Sequence, residues 1–248
     1  MTTRKKPEVW KKDSSFCPGC GHGIVIRLIA ELIEEMGVKS RELHAVGCAC
    51  NLNGCWNDPQ LQCPHGRAAA VAVGAKACEP DDLVFTYQGD GDAYVIGLSE
   101  TMNAGYRGNI TSIIINNNNF GMTGGQMSWT TLPGQTTTTS KKGRDALKEG
   151  EPFKGPELLS QFENVKFAAR GAVYNPAEVN KTKALIKKAF ELQMSGEGYG
   201  VVEVLCGCPT NWKMSPVDSN KWIEDAVTRY YGLGIIKDET AKILKEAI

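Results

Sequence analysis

The chain has no net charge to offer a polyanion. Its 28 Lys and Arg offset 28 Asp and Glu over 248 residues, so nothing favours nucleic acid or an anionic membrane as a partner. It also lacks a long apolar run, and no stretch approaches the roughly 18 apolar residues that a membrane span needs. The start, Met1 to Trp10, is basic and polar with no apolar stretch behind it, and is read as carrying no signal peptide. These absences point to the cytoplasm. No internal repeat and no second domain is visible. With 42% hydrophobic and 23% charged residues, the expectation is one large domain over residues 1–248. Cysteine is missing from the middle of the chain. Of nine cysteines, seven lie between Cys17 and Cys78, and two lie at Cys206 and Cys208. In a reducing compartment such thiols are ligands or buried groups before they are disulfides.

What is present alternates between two periods. Gly23 to Met36 places Ile24, Leu28, Ile29, Leu32, Ile33 and Met36 at helical spacing and stops at Gly37. Short apolar runs at Leu43–Val46, Leu83–Tyr87, Thr111–Ile115, Phe167–Arg170 and Gly200–Leu205 predict strands. Helices are expected over Arg67–Ala77, Val95–Ala104 and Pro176–Met194, the last with Pro at its first position. The alternation predicts an α/β fold, a mostly parallel sheet flanked by helices, with ligands at the carboxyl ends of the strands. Thr123 to Pro156 breaks the rhythm and is expected to be an ordered functional or interface loop. The tail after Cys208 carries Trp212, Trp222, Tyr230 and Tyr231, placed either over the core or against a partner subunit.

Gly89-Asp90-Gly91-Asp92 follows a predicted strand and opens a helix. Glycine lets the backbone approach a phosphate, and a helix start offers free N–H groups to an anion. A carboxylate there repels phosphate unless a cation sits between them, a task that suits Mg²⁺. One βαβ unit later comes Asn116-Asn117-Asn118-Asn119, a run of neutral oxygen donors at the next strand end. Near the start, Cys17-x2-Cys20 can direct two thiolates to one centre. By itself the motif admits zinc (with Cys48-x-Cys50 completing four thiolates), an iron–sulfur cluster or a redox disulfide.

The paired Gly-Asp-Gly and Asn-Asn segments resemble the thiamine-diphosphate motif. Phe120-Gly121-Met122-Thr123-Gly124-Gly125-Gln126, Cys17-Pro18-Gly19-Cys20-Gly21-His22, His65-Gly66-Arg67 and the Thr136–Thr139 run narrow the resemblance to the 2-oxoacid:ferredoxin oxidoreductases. More narrowly, these segments are similar to the thiamine-diphosphate-binding β subunits of that family. The resemblance covers roughly Phe16 to Pro209. It implies a thiamine-diphosphate pyrophosphate-binding fold. It implies Mg²⁺ on Asp90, Asn117 and the backbone carbonyl of Asn119, with Gly89, Gly91 and Asp92 lining the diphosphate. Gly121, Met122 and Thr123 would wrap that group, and His65 and Arg67 would lie near cofactor or substrate. For the cysteines it implies a [4Fe–4S] cluster on Cys17, Cys20, Cys48 and Cys208, with Cys206 packed beside the last. Cys50, Cys55, Cys63 and Cys78 would be buried or incidental, Cys78 as part of the core.

The implied reaction is oxidative decarboxylation of a 2-oxoacid to acyl-coenzyme A and carbon dioxide, with electrons leaving through the cluster to ferredoxin. Some relatives carry Ser-Gly-Lys after the cysteine that matches Cys48, and the lysine binds a substrate carboxylate. Here Ala49-Cys50-Asn51 stands instead, which favours a branched-chain 2-oxoacid over 2-oxoglutarate. The glutamate that activates the cofactor belongs to a pyrimidine-binding α subunit in this family. Nothing in this chain replaces it, since Glu100 falls on the helix after Gly89–Asp92, where a surface or interface role is expected. The chain also lacks the Cys-x2-Cys-x2-Cys-x3-Cys-Pro run of a ferredoxin domain. Both absences imply partners: the α subunit, and ferredoxin-like and γ subunits or domains.

Overall fold

The computed structural model describes residues 6–240, so Met1–Lys5 of the basic start and the last eight residues lie outside it. Its centre is a seven-stranded sheet, with helices and connections in chain order α1 (His22–Met36), β1 (Ser40–His44), β2 (Gln60–Gln62), α2 (Ala68–Cys78), β3 (Leu83–Gly89), α3 (Leu98–Arg107) and β4 (Thr111–Asn116). A two-stranded hairpin follows, β5 (Asn119–Phe120) with β6 (Gln126–Met127), and then the short helices α4 (Ala146–Glu149) and α5 (Gly155–Leu159). The second half runs β7 (Val165–Ala172), α6 (Pro176–Met194), β8 (Tyr199–Leu205), α7 (Pro209–Trp212), α8 (Pro216–Trp222), α9 (Thr228–Tyr231) and β9 (Gly234–Asp238).

The strand order is β2-β1-β3-β4-β8-β7-β9, parallel throughout except for β9, which runs antiparallel to β7. β4 and β8 are buried along their whole length, as strands covered on both faces must be. Helices α1 and α6 pack on one face through Ile29, Leu32, Ile186 and Phe190 against Phe85, Ile113 and Val202. The small residues Ala68, Ala69, Ala72 and Ala104 of α2 and α3 close the other face. Gly37 ends α1 in the left-handed region at φ 62° and Pro176 opens α6, as the sequence predicts. Asn175, not singled out by the sequence pattern, caps α6 by accepting from the Glu178 N–H. Among the described residues no helix is long and apolar enough to cross a membrane.

Three local expectations need correction. The first strand is Ser40–His44 and not Leu43–Val46, because its buried inward positions are the polar Glu42 and His44, hydrogen-bonded to each other at 2.8 Å. The helix expected over Val95–Ala104 is two pieces: a wide turn at Gly91–Ile96 and α3 from Leu98. They break at Gly97, where a Cβ would collide with the Gly66 carbonyl. Cys78 is exposed and not core, since the buried face of α2 is Ala68, Ala69, Ala72 and, unexpectedly, Lys76, whose Nζ donates to the Asp82 carbonyl at 2.8 Å. The aromatic tail covers the core: Ile223, Val227 and Tyr231 pack with Leu132, Ala172 and Leu205, and Trp212 and Trp222 meet edge to face at 4.8 Å.

Two buried arginines hold the irregular parts in place. Arg144 is 4% exposed and donates to six carbonyls, those of Ser128, Trp129, Thr131, Glu149, Gly150 and Glu151, which orders the loop expected over Thr123–Pro156. Arg170 on β7 is 1% exposed. It donates to Glu203 of β8 at 2.5 Å, to Glu157 of α5 at 2.6 and 2.7 Å, and to the Tyr231 carbonyl at 2.5 Å. Tyr94 donates to the other Glu203 oxygen at 2.8 Å. A buried ion pair adds little against an apolar replacement, but stripping one partner strands a charge in a dry interior. Arg170→Ala should therefore lower the unfolding free energy of the isolated chain by about 3–5 kcal/mol, read from urea denaturation. A pairwise Arg170→Met/Glu203→Gln variant should recover part of that loss, and equal losses for single and double variants would show that the charge itself is not the cause.

Candidate functional site

Strand register brings the chemistry together. Gly89 stands beside Ile115, Asn116 beside Leu205 and His44 beside Tyr87. The segments that leave the carboxyl ends of β1, β3, β4 and β8 are therefore Gly47-Cys48, Asp90–Asp92, Asn117–Asn119 and Cys206–Cys208, four neighbours on one rim of the sheet. They surround an open cleft. Gly89, Asp90, Gly91, Asp92, Asn117, Asn119, Gly121, Met122, Thr123, Cys48 and His65 all line it, as do His22, Val46, Gly47 and Phe120.

At the floor the Asn117 side-chain amide lies 3.2 Å from Asp90 Oδ1 and 2.7 Å from the Asn119 backbone carbonyl, donating its nitrogen to both; a cation seated there would take the amide oxygen instead. A carboxylate, an amide oxygen and a carbonyl on one point are the hard donors a magnesium-sized cation takes, with phosphate oxygens filling its other positions. The second Asp90 oxygen is held from behind by the hydroxyls of Ser128, at 2.7 Å, and Thr130. Burial pushes the Asp90 carboxyl up to about 6, against the pull of those hydroxyls and the Gly91 N–H. Asn118 makes the turn possible at φ 57°, donating its amide to Asn116 Oδ1 and to the Thr130 carbonyl. Gly91 must be glycine because a Cβ there would enter the Phe120 ring.

Asp92 is directed elsewhere. Its Oδ1 accepts from the Gly66 N–H at 2.6 Å and from His65 Nδ1, and its Oδ2 accepts from Gln88 at 2.5 Å. It thus fixes the His65–Gly66 turn at the cleft wall, with Gly66 at φ 79°. Arg67 points away from the cleft and pairs with Glu100 of α3. His22, for which the sequence offered no separate signal, is 1% exposed, stacks on Phe16 with ring centroids 4.8 Å apart and shares a hydrogen bond of 2.8 Å with Tyr87. Burial pushes its imidazole down to about 4, so it stays neutral.

The thiols gather on the far side of Gly121. A Cβ on that glycine would lie 3.1 Å from Cys48 Sγ and 3.3 Å from the Asn117 amide. Burial pushes the Cys48 thiol up to about 12, and the neighbouring Cys208, Cys20, Cys17 and Cys50 push the same way. Cys20 goes down to about 7, drawn by Cys206 and the His22 N–H against its burial, and Cys206 goes up in return. Cys206 also packs on Gly21 with its Sγ 3.0 Å from where a Cβ would sit. Cys208 is raised by burial, opposed by the Asn211 N–H groups and the Asn119 side chain. Cys55 and Cys63 are buried apart from this group, and Cys50 leans on Met122 at 3.9 Å. Among the described residues no three His, Cys, Asp or Glu side chains are placed to hold a single metal ion.

Comparison with known proteins agrees with this layout. Residues 35–204 match the family model described as thiamine pyrophosphate enzyme, C-terminal TPP binding domain. Ketoisovalerate oxidoreductase subunit VorA of Methanothermobacter marburgensis is 38% identical over 230 residues, which is 92% of this chain and 48% of that protein. The chain thus spans about half the length of that relative. It covers 80% of 2-oxoglutarate synthase subunit KorB of Archaeoglobus fulgidus, 31% identical over 232 residues and 92% of this chain. A solved 2-oxoglutarate:ferredoxin oxidoreductase from Magnetococcus marinus shares the fold at a TM-score of 0.78 and 22% identity, over 100% of this chain and 92% of that one.

Asp90 gives a pH test in the metal-free chain. Its folded value of about 6 stands above the ordinary 3.8, so its contribution is fully present below about pH 4 and is lost as pH rises through 6. Wild-type chain in chelator should lose about 2 kcal/mol of unfolding free energy from this group between pH 4 and 7.5. Asp90→Asn should not, leaving it the more stable of the two at pH 7.5. Urea unfolding at both pH values checks this, and a wild-type-to-variant difference that ignores pH would refute it.

Proposed function

The chain belongs to the thiamine pyrophosphate enzymes and, among them, to the subunits of the 2-oxoacid:ferredoxin oxidoreductases, and on that basis we propose that it carries the diphosphate end of the cofactor together with a [4Fe–4S] cluster. Asp90 Oδ1 and the Asn119 carbonyl both lie against the Asn117 amide, whose oxygen can turn to a cation seated there, which supports the first part. These oxygens would hold Mg²⁺ on the diphosphate, while the Gly89–Gly91 backbone and the Gly121–Thr123 turn enclose the phosphates. Bound thiamine diphosphate would supply the electron sink for decarboxylation. The chain's own part is to neutralise and orient the diphosphate, to keep a neutral His22 and an Asp92-held His65 on the cleft wall, and to bar water from the floor.

The cluster would use Cys17, Cys20, Cys48 and Cys208. In support, Cys48 feels the charge of the other three, and a multi-iron cage spreads its thiolates around it instead of drawing them to one ion. Cys206, turned onto Gly21 and Cys20, would stay outside the ligand set. Electrons would leave this cluster for ferredoxin, and coenzyme A would take the acyl group. Val46 and Met122 give the cleft mouth an apolar lining, with no lysine or arginine among the lining residues, which favours a branched-chain 2-oxoacid over 2-oxoglutarate. Because the relatives it matches are named as subunits, the complete activity would require partners: a pyrimidine-binding α subunit with the activating glutamate, and ferredoxin-like and γ subunits or domains. The complex would work in the cytoplasm. A non-redox thiamine enzyme would need no thiols behind Gly121.

Asp90→Ala should strip thiamine diphosphate from the assembled complex while leaving its iron in place, measured by thiochrome fluorescence and iron analysis. Full cofactor occupancy in that variant would remove Asp90 from the Mg²⁺ site. Cys17→Ser, Cys20→Ser, Cys48→Ser and Cys208→Ser should each lower iron content, because serine oxygen is a poor iron ligand beside thiolate, whereas the exposed Cys78→Ser should not. Cluster loss in Cys206→Ser with retention in Cys208→Ser would move the fourth ligand by two positions.

The isolated chain should bind thiamine diphosphate weakly, since only one end of the ligand is buried. It should not reduce viologen dye with any 2-oxoacid and coenzyme A until the α subunit is added. Robust reduction by the chain alone would place the activating base within it.

A further inference from the structure

Asn211 touches both halves of the site. It lies on α7, three residues after Cys208, and its side-chain nitrogen has two hydrogens with two acceptors. One is the Gly121 carbonyl at 2.8 Å, the other Cys208 Sγ at 3.3 Å. The turn Gly121–Gly125 is closed by the Gly125 N–H on the Phe120 carbonyl at 2.9 Å and folds around this one residue. A Cβ on Gly125, which stands at φ 80°, would lie 3.0 Å from Asn211 Cβ. Apart from a 3.3 Å bond within the turn from Gly124, Asn211 is what fastens the Gly121 carbonyl to the body of the protein. Met122 and Thr123 on the same turn line the cleft.

We propose that Asn211 is a positioning residue that couples the late cysteine to the cofactor turn, one amide hydrogen on each. The inference rests on the assignment of cluster and diphosphate sites given above. A ligated thiolate accepts a hydrogen bond more strongly than a free thiol. Loading the cluster therefore fixes the Asn211 amide, which fixes the Gly121 carbonyl and leaves less of the turn for the diphosphate to order. Linkage makes the effect mutual, so bound cofactor steadies the cluster to the same degree. The N–H on sulfur also favours the reduced, more negative cluster and raises its potential.

The test uses the complex of this chain with its partner subunits, as wild type, Asn211→Leu (similar size, no donor) and Asn211→Ser (one donor). Thiamine diphosphate affinity is measured with the cluster loaded and after its removal by anaerobic chelation, and the cluster midpoint potential by an electron-paramagnetic-resonance redox titration. Wild type should bind the cofactor about fivefold more weakly without its cluster, the worth of one hydrogen bond. Asn211→Leu should show that weaker affinity in both states and a more negative potential, with Asn211→Ser between. Should the leucine variant fail to assemble, the serine variant decides by the same two readings. A variant that holds iron and cofactor with wild-type affinity and potential overturns this inference alone. A wild-type complex without iron overturns the cluster assignment and the coupling with it.

Discussion

The cleft depends on one costly arrangement, the burial of the Asp90 carboxyl beside the Asn117 amide. Ser128 and Thr130 supply hydrogen bonds to the rear oxygen, and the forward oxygen lies 3.2 Å from the Asn117 amide, which also reaches the Asn119 carbonyl. Burial raises the proton affinity of such a group, and the Mg²⁺ proposed for this site would relieve it. The rest of the rim is built to keep that arrangement fixed. Asn118 takes a left-handed turn so that its two neighbours can face inward, and Arg144 ties down the loop that brings Ser128 and Thr130 to the spot.

A second constraint is separation. Gly121 stands between the oxygen triad and Cys48, close enough to both that a methyl group would crowd the sulfur. A single glycine thickness therefore divides a hard, oxygen-lined site from a soft, sulfur-lined one. The proposed assignment of Mg²⁺ to one side and iron to the other rests on that division, since carboxylate and carbonyl suit magnesium and thiolate suits iron.

The C-terminal segment has a structural task besides delivering Cys208. Arg170 and Glu203 are buried in adjacent strands and reach Glu157, Tyr94 and the Tyr231 carbonyl, so the tail helices, the α5 connection and the turn after Asp90 share one polar knot. The Tyr231 hydroxyl continues it to the Thr130 carbonyl at 2.6 Å, one residue's backbone away from the hydroxyl that holds Asp90. Packing of Ile223 and Val227 under Leu205 then keeps the strand end before Cys206 in place.

Much of this was legible in the sequence because it is local. Gly37 and Pro176 mark helix ends through backbone conformation, which needs no tertiary partner. The β-branched runs of β3, β4 and β8 announce a sheet covered on both faces, and Gly89–Asp92 with Asn116–Asn119 announce its ligand rim. What tertiary structure alone decided is where long-range partners fall. Glu42 and His44 occupy a buried strand that hydropathy reads as polar, Lys76 takes an inward place on α2 that pattern would give to Cys78, and Arg67 meets Glu100 outside the cleft. Ser128, Thr130 and Asn211 sit in loop sequence with no periodic signal. Their partners lie 38, 40 and 90 residues away, distances over which only the folded sheet, and no local propensity, brings residues together.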